Sequence, residues 1–281
     1  MDPMSQAPNR PNYLFVGGAA KSGTTWLQKI INSHPQMICK GEGKFLFLFL
    51  GLDEVRKLHD AHQNVGPEFS LNNTDRLALF SVACERILER YWQNEPGILW
   101  VGDKSTENSL TVELCSAVFP SSRFIYIVRD PRDAAVSGWH QNVREQNASF
   151  IEQGFDKDMM AFSRFATEIS WMHAIEKAYA FEQRMPNNAF RIHYEQLLLQ
   201  PNEIVTDLFN FLTVNSDIGL VEEVVQKNLF KNVTGRNPGD ESKTSDARKG
   251  IAGDWKNHMT EAQGQEILDL TKGLAQKLGY Q

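Results

Sequence analysis

Short apolar runs alternate along this chain with longer stretches in which apolar positions return every three or four residues. Tyr13 to Val16, Met37 to Cys39, Ile98 to Val101, Phe124 to Val128 and Phe190 to His193 are the short runs, and each predicts a strand. Between them Leu27, Ile30 and Ile31 predict one helix, and Leu77, Phe80, Ile87, Leu88 and Tyr91 a second with Thr74 as its cap. Further helices are predicted from about Glu107 to Phe119, from Pro131 through Val143 and, as one long amphipathic stretch, from Met159 to Met185. Helical segments continue to about Leu229, and Glu261 to Leu278 is predicted as a closing helix. Pro35, Asn94-Glu-Pro-Gly97, Pro120 and Pro186 supply the stops. Phe45 to Leu50 is a continuous apolar run after the polar turn at 40–44, and residues 231–249 have no apolar period and predict a long loop.

Strands alternating with helices predict an α/β fold, a central and mostly parallel sheet flanked by helices, with ligands at the carboxyl ends of its strands. No internal repeat or linker divides the chain, so residues 12–281 read as a single domain behind a flexible leader, residues 1–11.

Composition narrows the partners. At 281 residues, 41% hydrophobic and 23% charged, the chain can bury a substantial core. A net charge of −6 argues against a general nucleic-acid or membrane-surface binder, so an anionic ligand must be held by locally placed Lys and Arg. Cys39, Cys84 and Cys115 are far apart with no C-x-x-C spacing, which predicts buried free thiols in a reducing compartment. The opening is polar rather than a secretory signal, and the longest apolar run is too short to span a bilayer; a cytoplasmic location is expected.

The richest chemistry follows the first strand. Gly17, Gly18 and Gly23 mark a tight turn ahead of the helix carrying Leu27. Strand, glycine turn and helix together direct backbone N–H groups and a positive helix end at an anion. Lys21 adds a point charge, and Ser22, Thr24 and Thr25 add hydroxyl donors. In a nucleoside-triphosphatase P-loop, G-x-x-x-x-G-K-[ST], lysine follows the second glycine; here Thr24 stands there and the lysine precedes it. A small-molecule or nucleoside kinase with an irregular P-loop is the competing class, with Asp103 or Asp130 as its magnesium carboxylate. No H-x-E, H-E-x-x-H or clustered carboxylate pattern implies a metal.

Lys21-Ser-Gly-Thr-Thr-Trp26 resembles the phosphosulfate-binding loop of sulfotransferases that use 3′-phosphoadenosine 5′-phosphosulfate (PAPS, leaving PAP as product). Arg123-Phe-Ile-Tyr-Ile-Val-Arg-Asp-Pro-Arg-Asp-Ala-Ala-Val-Ser137 resembles the same family's 3′-phosphate motif, with Arg129 and Ser137 at the matching spacing. Arg248-Lys-Gly-Ile-Ala-Gly-Asp-Trp-Lys256 resembles its closing motif. The resemblance implies that Arg248, Lys249 and Gly250 wrap the 3′-phosphate behind a lid-like loop, and that Trp26, Tyr194 and Phe230 contact adenine. The family often has methionine where Ala247 stands. Arg132 and Asp133 fall outside the motif and are expected to have structural roles.

Sulfuryl transfer needs in-line approach, stabilised charge and a base for the acceptor proton. Lys21 is the candidate for the leaving phosphate oxygen and Lys104 for the sulfuryl oxygens. Cytosolic members carry a catalytic histidine after a Lys-Thr pair, but here Lys104-Ser105 is followed by Thr106, which cannot act as a base near neutral pH. Glycan-type members use a glutamate in a turn after the first helix, and Gly41-Glu-Gly-Lys-Phe45 resembles that segment, making Glu42 the preferred base ahead of Glu107 and His140. Thr106 and His140 are also candidates for the acceptor pocket, which is expected from residues 40–70, 106–110 and 139–170 and the late loop. A small-molecule acceptor is expected, and the chain shows no counterpart of the Thr-Val dimerisation motif of cytosolic relatives.

Overall fold

The computed structural model describes residues 10–61, 71–242, 244–245 and 247–281. Five strands, β1 (Asn12–Gly18), β2 (Met37–Gly41), β3 (Trp100–Lys104), β4 (Arg123–Val128) and β5 (Ala189–His193), form a parallel sheet in the order β2-β3-β1-β4-β5. Residues 1–9 of the expected leader lie outside the described residues, as do 62–70 of the expected acceptor region.

The period-two pattern assigns the faces. Phe15 on β1 and Phe124, Tyr126 and Val128 on β4 face one core, shared with α4 (Asn108–Val118) and α8 (His173–Arg184). Leu14, Val16, Ile125 and Ile127 face the other, against α1 (Thr24–Asn32), α10 (Pro201–Phe211) and α11 (Ile218–Asn228). A smaller cluster of Val136, Trp255, Met259 and Ile267 joins α5 (Pro131–Glu145) to α13 (Glu261–Asp269). No helix among the described residues is long and apolar enough to cross a membrane.

Several elements differ from the sequence pattern. Phe45 to Leu50 opens a helix, α2 (Phe45–Ala61). Phe45, Leu48, Phe49 and Leu52 do keep helical spacing and pack on the first core, but Phe47 and Leu50 are apolar on the solvent side and mask the period. The next helix, α3 (Asn73–Trp92), is capped by Asn72 rather than Thr74, through a capping box with Asp75. Met159 to Met185 is one rod in outline, but α7 (Met159–Phe165) and α8 are joined by a π-helical segment, Ala166–Met172. The closing helix is cut in two because Lys272 and Gly273 adopt positive φ between α13 and α14 (Leu274–Lys277). The expected loop at 231–249 begins later than predicted, because residues 231–234 belong to one helical turn, α12 (Phe230–Thr234).

Candidate functional site

Strand register decides which candidate residues meet. Lys104 ends β3 level with Val16 on one side and Gly41 on the other. The residue after Gly41 therefore lies beside it, and Lys104 Nζ donates to Glu42 Oε1 at 3.2 Å. Lys104 is buried, with 8% of its side chain exposed, against 58% for Glu42. Lys44 approaches the other oxygen of Glu42 at 3.8 Å. One register position further across, Val128 pairs with His193, so the following residues, Arg129 and Tyr194, are neighbours. The Arg129 guanidinium stacks 4.3 Å from the centre of the Tyr194 ring.

The turn between β1 and α1 is compact. Ser22 N–H donates to the Ala19 carbonyl at 3.2 Å, and no side chain caps α1, whose N-cap is Gly23. The first N–H groups of that helix are thus left for an anion. Gly23 has φ 101°, and a Cβ there would lie 2.9 Å from the Tyr194 ring, so the position admits only glycine. Ser22 Oγ is wholly buried with no hydrogen-bond partner, a cost of about 1–3 kcal/mol unless a ligand pairs with it. Lys21 adopts φ 67° and Glu42 φ 59°, left-handed conformations that cost non-glycine residues about 1–3 kcal/mol. Two of the three proposed catalytic side chains therefore stand on strained backbone.

Arg129 draws the separate motifs together. Its guanidinium donates to the Lys21 carbonyl and to the Ile251 carbonyl, each at 3.1 Å. Asp133 lies farther off at 3.8 Å and is instead occupied by the N–H groups of Gly253 and Trp255 at 2.6 and 2.8 Å. Burial pushes the Asp133 carboxyl up, and the nearby Arg129 charge opposes this. Arg132 grips Asp130 in a two-point fork through Nε and Nη2 and lies over Trp255 at 4.1 Å, as expected of a structural residue. Ser137 follows on the second turn of α5.

The closing segment is already charge-paired. Lys249 donates to Asp254 Oδ1 at 2.9 Å, and Arg248 pairs with Asp254 Oδ2 and, at 3.1 Å, with Glu241. Burial raises the Asp254 carboxyl, but hydrogen bonds from Lys249, Asn257 and Arg248 outweigh it and hold the group well below the usual carboxylate range. His140 packs edge-on between Trp139 and His258, 5.1 and 5.0 Å between ring centres. Burial, then the charges of Arg248 and His258, lower its pKa to about 4. Gly250, at φ 64°, abuts Phe230, where a Cβ would lie 2.2 Å from the ring, and Arg236 stacks on that ring at 5.1 Å. Trp26 donates through Nε1 to the Asn228 carbonyl at 2.9 Å and meets Tyr194 edge-on.

Asp103 and Asp130, the two candidates for a kinase's magnesium carboxylate, are both engaged by protein. Asp103 accepts from Gly43 N–H at 2.6 Å, Ser105 Oγ at 2.8 Å and Asn108 Nδ2 at 3.0 Å; Asp130 caps α5 and holds Arg132. Thr106 Oγ1 donates to Glu107 Oε2 at 3.1 Å. Among the described residues, no group of three or more His, Cys, Asp or Glu is placed to hold a metal ion. The sequence marks the counter-ions Asp254 and Glu241 only as acidic residues on either side of the Arg-Lys-Gly string.

Comparison with known proteins matches residues 11–217 to the model of the sulfotransferase family. Sulfotransferase 1B1 of dog is 22% identical over 283 residues, spanning 94% of this chain and 83% of that one. Mouse sulfotransferase SULT7A1, solved in complex with PAP, superposes with a TM-score of 0.58 at 17% identity over 95% of this chain and 85% of its own. The sulfotransferase domain of the Synechococcus PCC 7002 olefin synthase gives 0.54 at 18% identity over 96% and 98%. The α/β architecture is common to all of these folds.

Proposed function

Because the chain belongs to the sulfotransferase family, we propose that it moves a sulfuryl group from PAPS to the hydroxyl or amine of a small-molecule acceptor. The observation that carries this reading is the double donation by Arg129 to the Lys21 and Ile251 carbonyls, which joins the β1–α1 turn to the closing segment. Two phosphate-binding sequences far apart in the chain then serve one bis-phosphorylated nucleotide. The unpartnered Ser22 hydroxyl and the uncapped start of α1 suit its 5′ end. Arg129, Ser137, Arg248, Lys249 and Gly250 would hold its 3′-phosphate. Trp26, Tyr194 and Phe230 would flank its base, with Thr24 and Thr25 as further hydroxyl donors in the cradle.

When bound, the nucleotide supplies an activated sulfuryl group on a good leaving phosphate. Lys21 is assigned to the charge that develops on the leaving oxygen, and Lys104 to the sulfuryl oxygens. Glu42 accepts the acceptor's proton as the new bond to sulfur forms and the bond to phosphate breaks. The Lys104–Glu42 pair at 3.2 Å supports this division, since the cation assigned to the transferring group lies beside the residue assigned as base. Thr106 and His140 are assigned to the surroundings of the acceptor.

Calorimetry with PAP, ADP and ATP, each without and with magnesium, tests the reading. Tight binding of PAP without metal is expected, whereas binding of ATP only with magnesium would favour a kinase. With labelled donor, Glu42→Gln is expected to keep PAP affinity and lose rate by about 100- to 10,000-fold. A variant that keeps its rate would move the base elsewhere.

A further inference from the structure

The peptide that joins Arg129 to Asp130 lies past the last paired residue of β4, Val128, and ahead of the first residue of α5, Pro131. Side chains from elsewhere in the chain hold both of its polar atoms. The Arg129 carbonyl accepts from Trp171 Nε1 at 2.9 Å, and the Asp130 N–H donates to Glu195 Oε1 at 3.0 Å. Trp171 is 2% exposed and stands on the segment Ala166–Met172. Glu195 arrives by register: Val128 pairs with His193, so Arg129 and Asp130 run beside Tyr194 and Glu195.

A second layer of contacts stands behind Glu195. The buried Tyr280 hydroxyl donates to Glu195 Oε2 at 2.9 Å and lies 3.2 Å from His193 Nδ1. The next residue, Gln281, offers its carbonyl to Arg132 Nη2 at 2.8 Å, and the same nitrogen holds Asp130 Oδ2 at 2.7 Å. Two consecutive residues after α14 thus reach Asp130 by two routes, its N–H through Glu195 and its carboxylate through Arg132. Burial pushes the Glu195 carboxyl up, while the bonds from the Asp130 N–H and from Tyr280 favour the carboxylate that accepts them.

Any buried backbone group needs a partner, so pairing by itself is ordinary. The convergence here is not: three separate parts of the chain meet on the one peptide that carries Arg129. The far end of that residue is pinned as well, its guanidinium bonding the Lys21 and Ile251 carbonyls, while its buried Nε has no partner. A side chain fixed at backbone and tip gives up little freedom when an anion arrives. We propose that Trp171, Glu195 and Tyr280 are positioning residues of the nucleotide site, which set Arg129 for the 3′-phosphate. This rests on the sulfotransferase reading above and adds to it three residues, of which Trp171, Glu195 and Tyr280 act through the Arg129–Asp130 peptide.

The test titrates the protein calorimetrically with PAP and with adenosine 5′-monophosphate, which lacks the 3′-phosphate, so that their affinity ratio reads the grip on that group alone. Trp171→Phe and Glu195→Leu are each expected to lower the preference for PAP by about threefold to tenfold while affinity for the monophosphate stays within about twofold. Tyr280→Phe, one bond further out, should lower it by about twofold. Glu195→Gln keeps an acceptor oxygen for the Asp130 N–H and should restore most of the preference lost in Glu195→Leu. Thermal melts run beside each titration report folding; Trp171 and Glu195 act on opposite sides of the peptide, so either variant decides if the other does not fold. An unchanged preference, an equal loss for both nucleotides, or a Glu195→Gln variant as impaired as Glu195→Leu would each overturn the inference and leave the function standing. A wild-type protein that does not prefer PAP to the monophosphate would remove the function itself, and this inference with it.

Discussion

The two ends of the proposed donor site are built in opposite ways. The β1–α1 turn is neutral in its backbone design: uncapped helix amides, a buried hydroxyl without a partner and glycine where Tyr194 allows nothing larger. The closing segment is saturated with charge before any ligand arrives, Arg248 and Lys249 both being held by Asp254 and Glu241. On the proposed function, an anion would enter the turn by filling positions that stand ready. At the closing segment it would have to compete with carboxylates already in contact. The first design would then serve shape and turnover, and the second an affinity sensitive to salt and to counter-ion strength.

The sharpest way to break that contrast is to remove one cation from each end. Lys21→Ala should lower kcat by about 100- to 1,000-fold with a smaller change in PAP affinity, because its charge is proposed to act mainly on the leaving oxygen. Arg129→Ala should weaken PAP by about tenfold or more, through loss of charge-assisted hydrogen bonds and of the tie between the turn and the closing segment. Steady-state kinetics and calorimetry on both variants check this, and equal small losses would contradict the division.

A weaker effect sharpens the contrast from the other side. Glu241 is part-exposed and competes for Arg248 at 3.1 Å, so Glu241→Gln should tighten PAP by up to about fivefold at low salt, the gain fading as salt rises. The corresponding titration across ionic strength reads it directly, and a loss of affinity would show that Glu241 organises the cations rather than competing for them.

The smallest effect concerns pH. His140 titrates near 4 in the fold, lowered by burial and by Arg248 and His258, against about 6.5 in an unfolded chain. The folded state thus binds fewer protons, so the stability this group contributes is whole above about pH 6.5 and is lost as pH falls toward 4. Burial of His193 gives it the same direction, while the buried carboxyls of Asp103, Asp133 and Glu195 are raised and act oppositely. The difference in denaturant stability between wild type and His140→Gln isolates the one histidine. Their gap should change between pH 6.5 and 4 in favour of the variant.

Much of the architecture was legible because strands and helices bury one kind of side chain at one spacing. Phe124 to Val128 alternates between the two cores, and Leu27, Ile30 and Ile31 line one side of α1. The pattern misled where apolar residues occupy the solvent face as well, as Phe47 and Leu50 do on α2, and where backbone geometry alone changes, as in the π segment. At the site, Lys21, Lys104 and Arg129 were legible as cations at strand ends. Their partners were not, because Lys104 meets Glu42 only through β2–β3 register, and Arg129 meets Ile251 only through the return of the chain. The left-handed backbone at Lys21 and Glu42 likewise has no signature in residue type.

Asp103 carries an implication for mutational work. Its carboxylate fastens the Gly43 N–H and so fixes the bend on which Glu42 sits, yet it is wholly buried and has no part in the proposed nucleotide or acceptor contacts. Swapping it for alanine would slacken that bend and depress turnover much as loss of the base would. A survey scoring inactivity alone would misfile this scaffold residue among the chemical ones, and only a companion record of melting behaviour would restore it to its proper column.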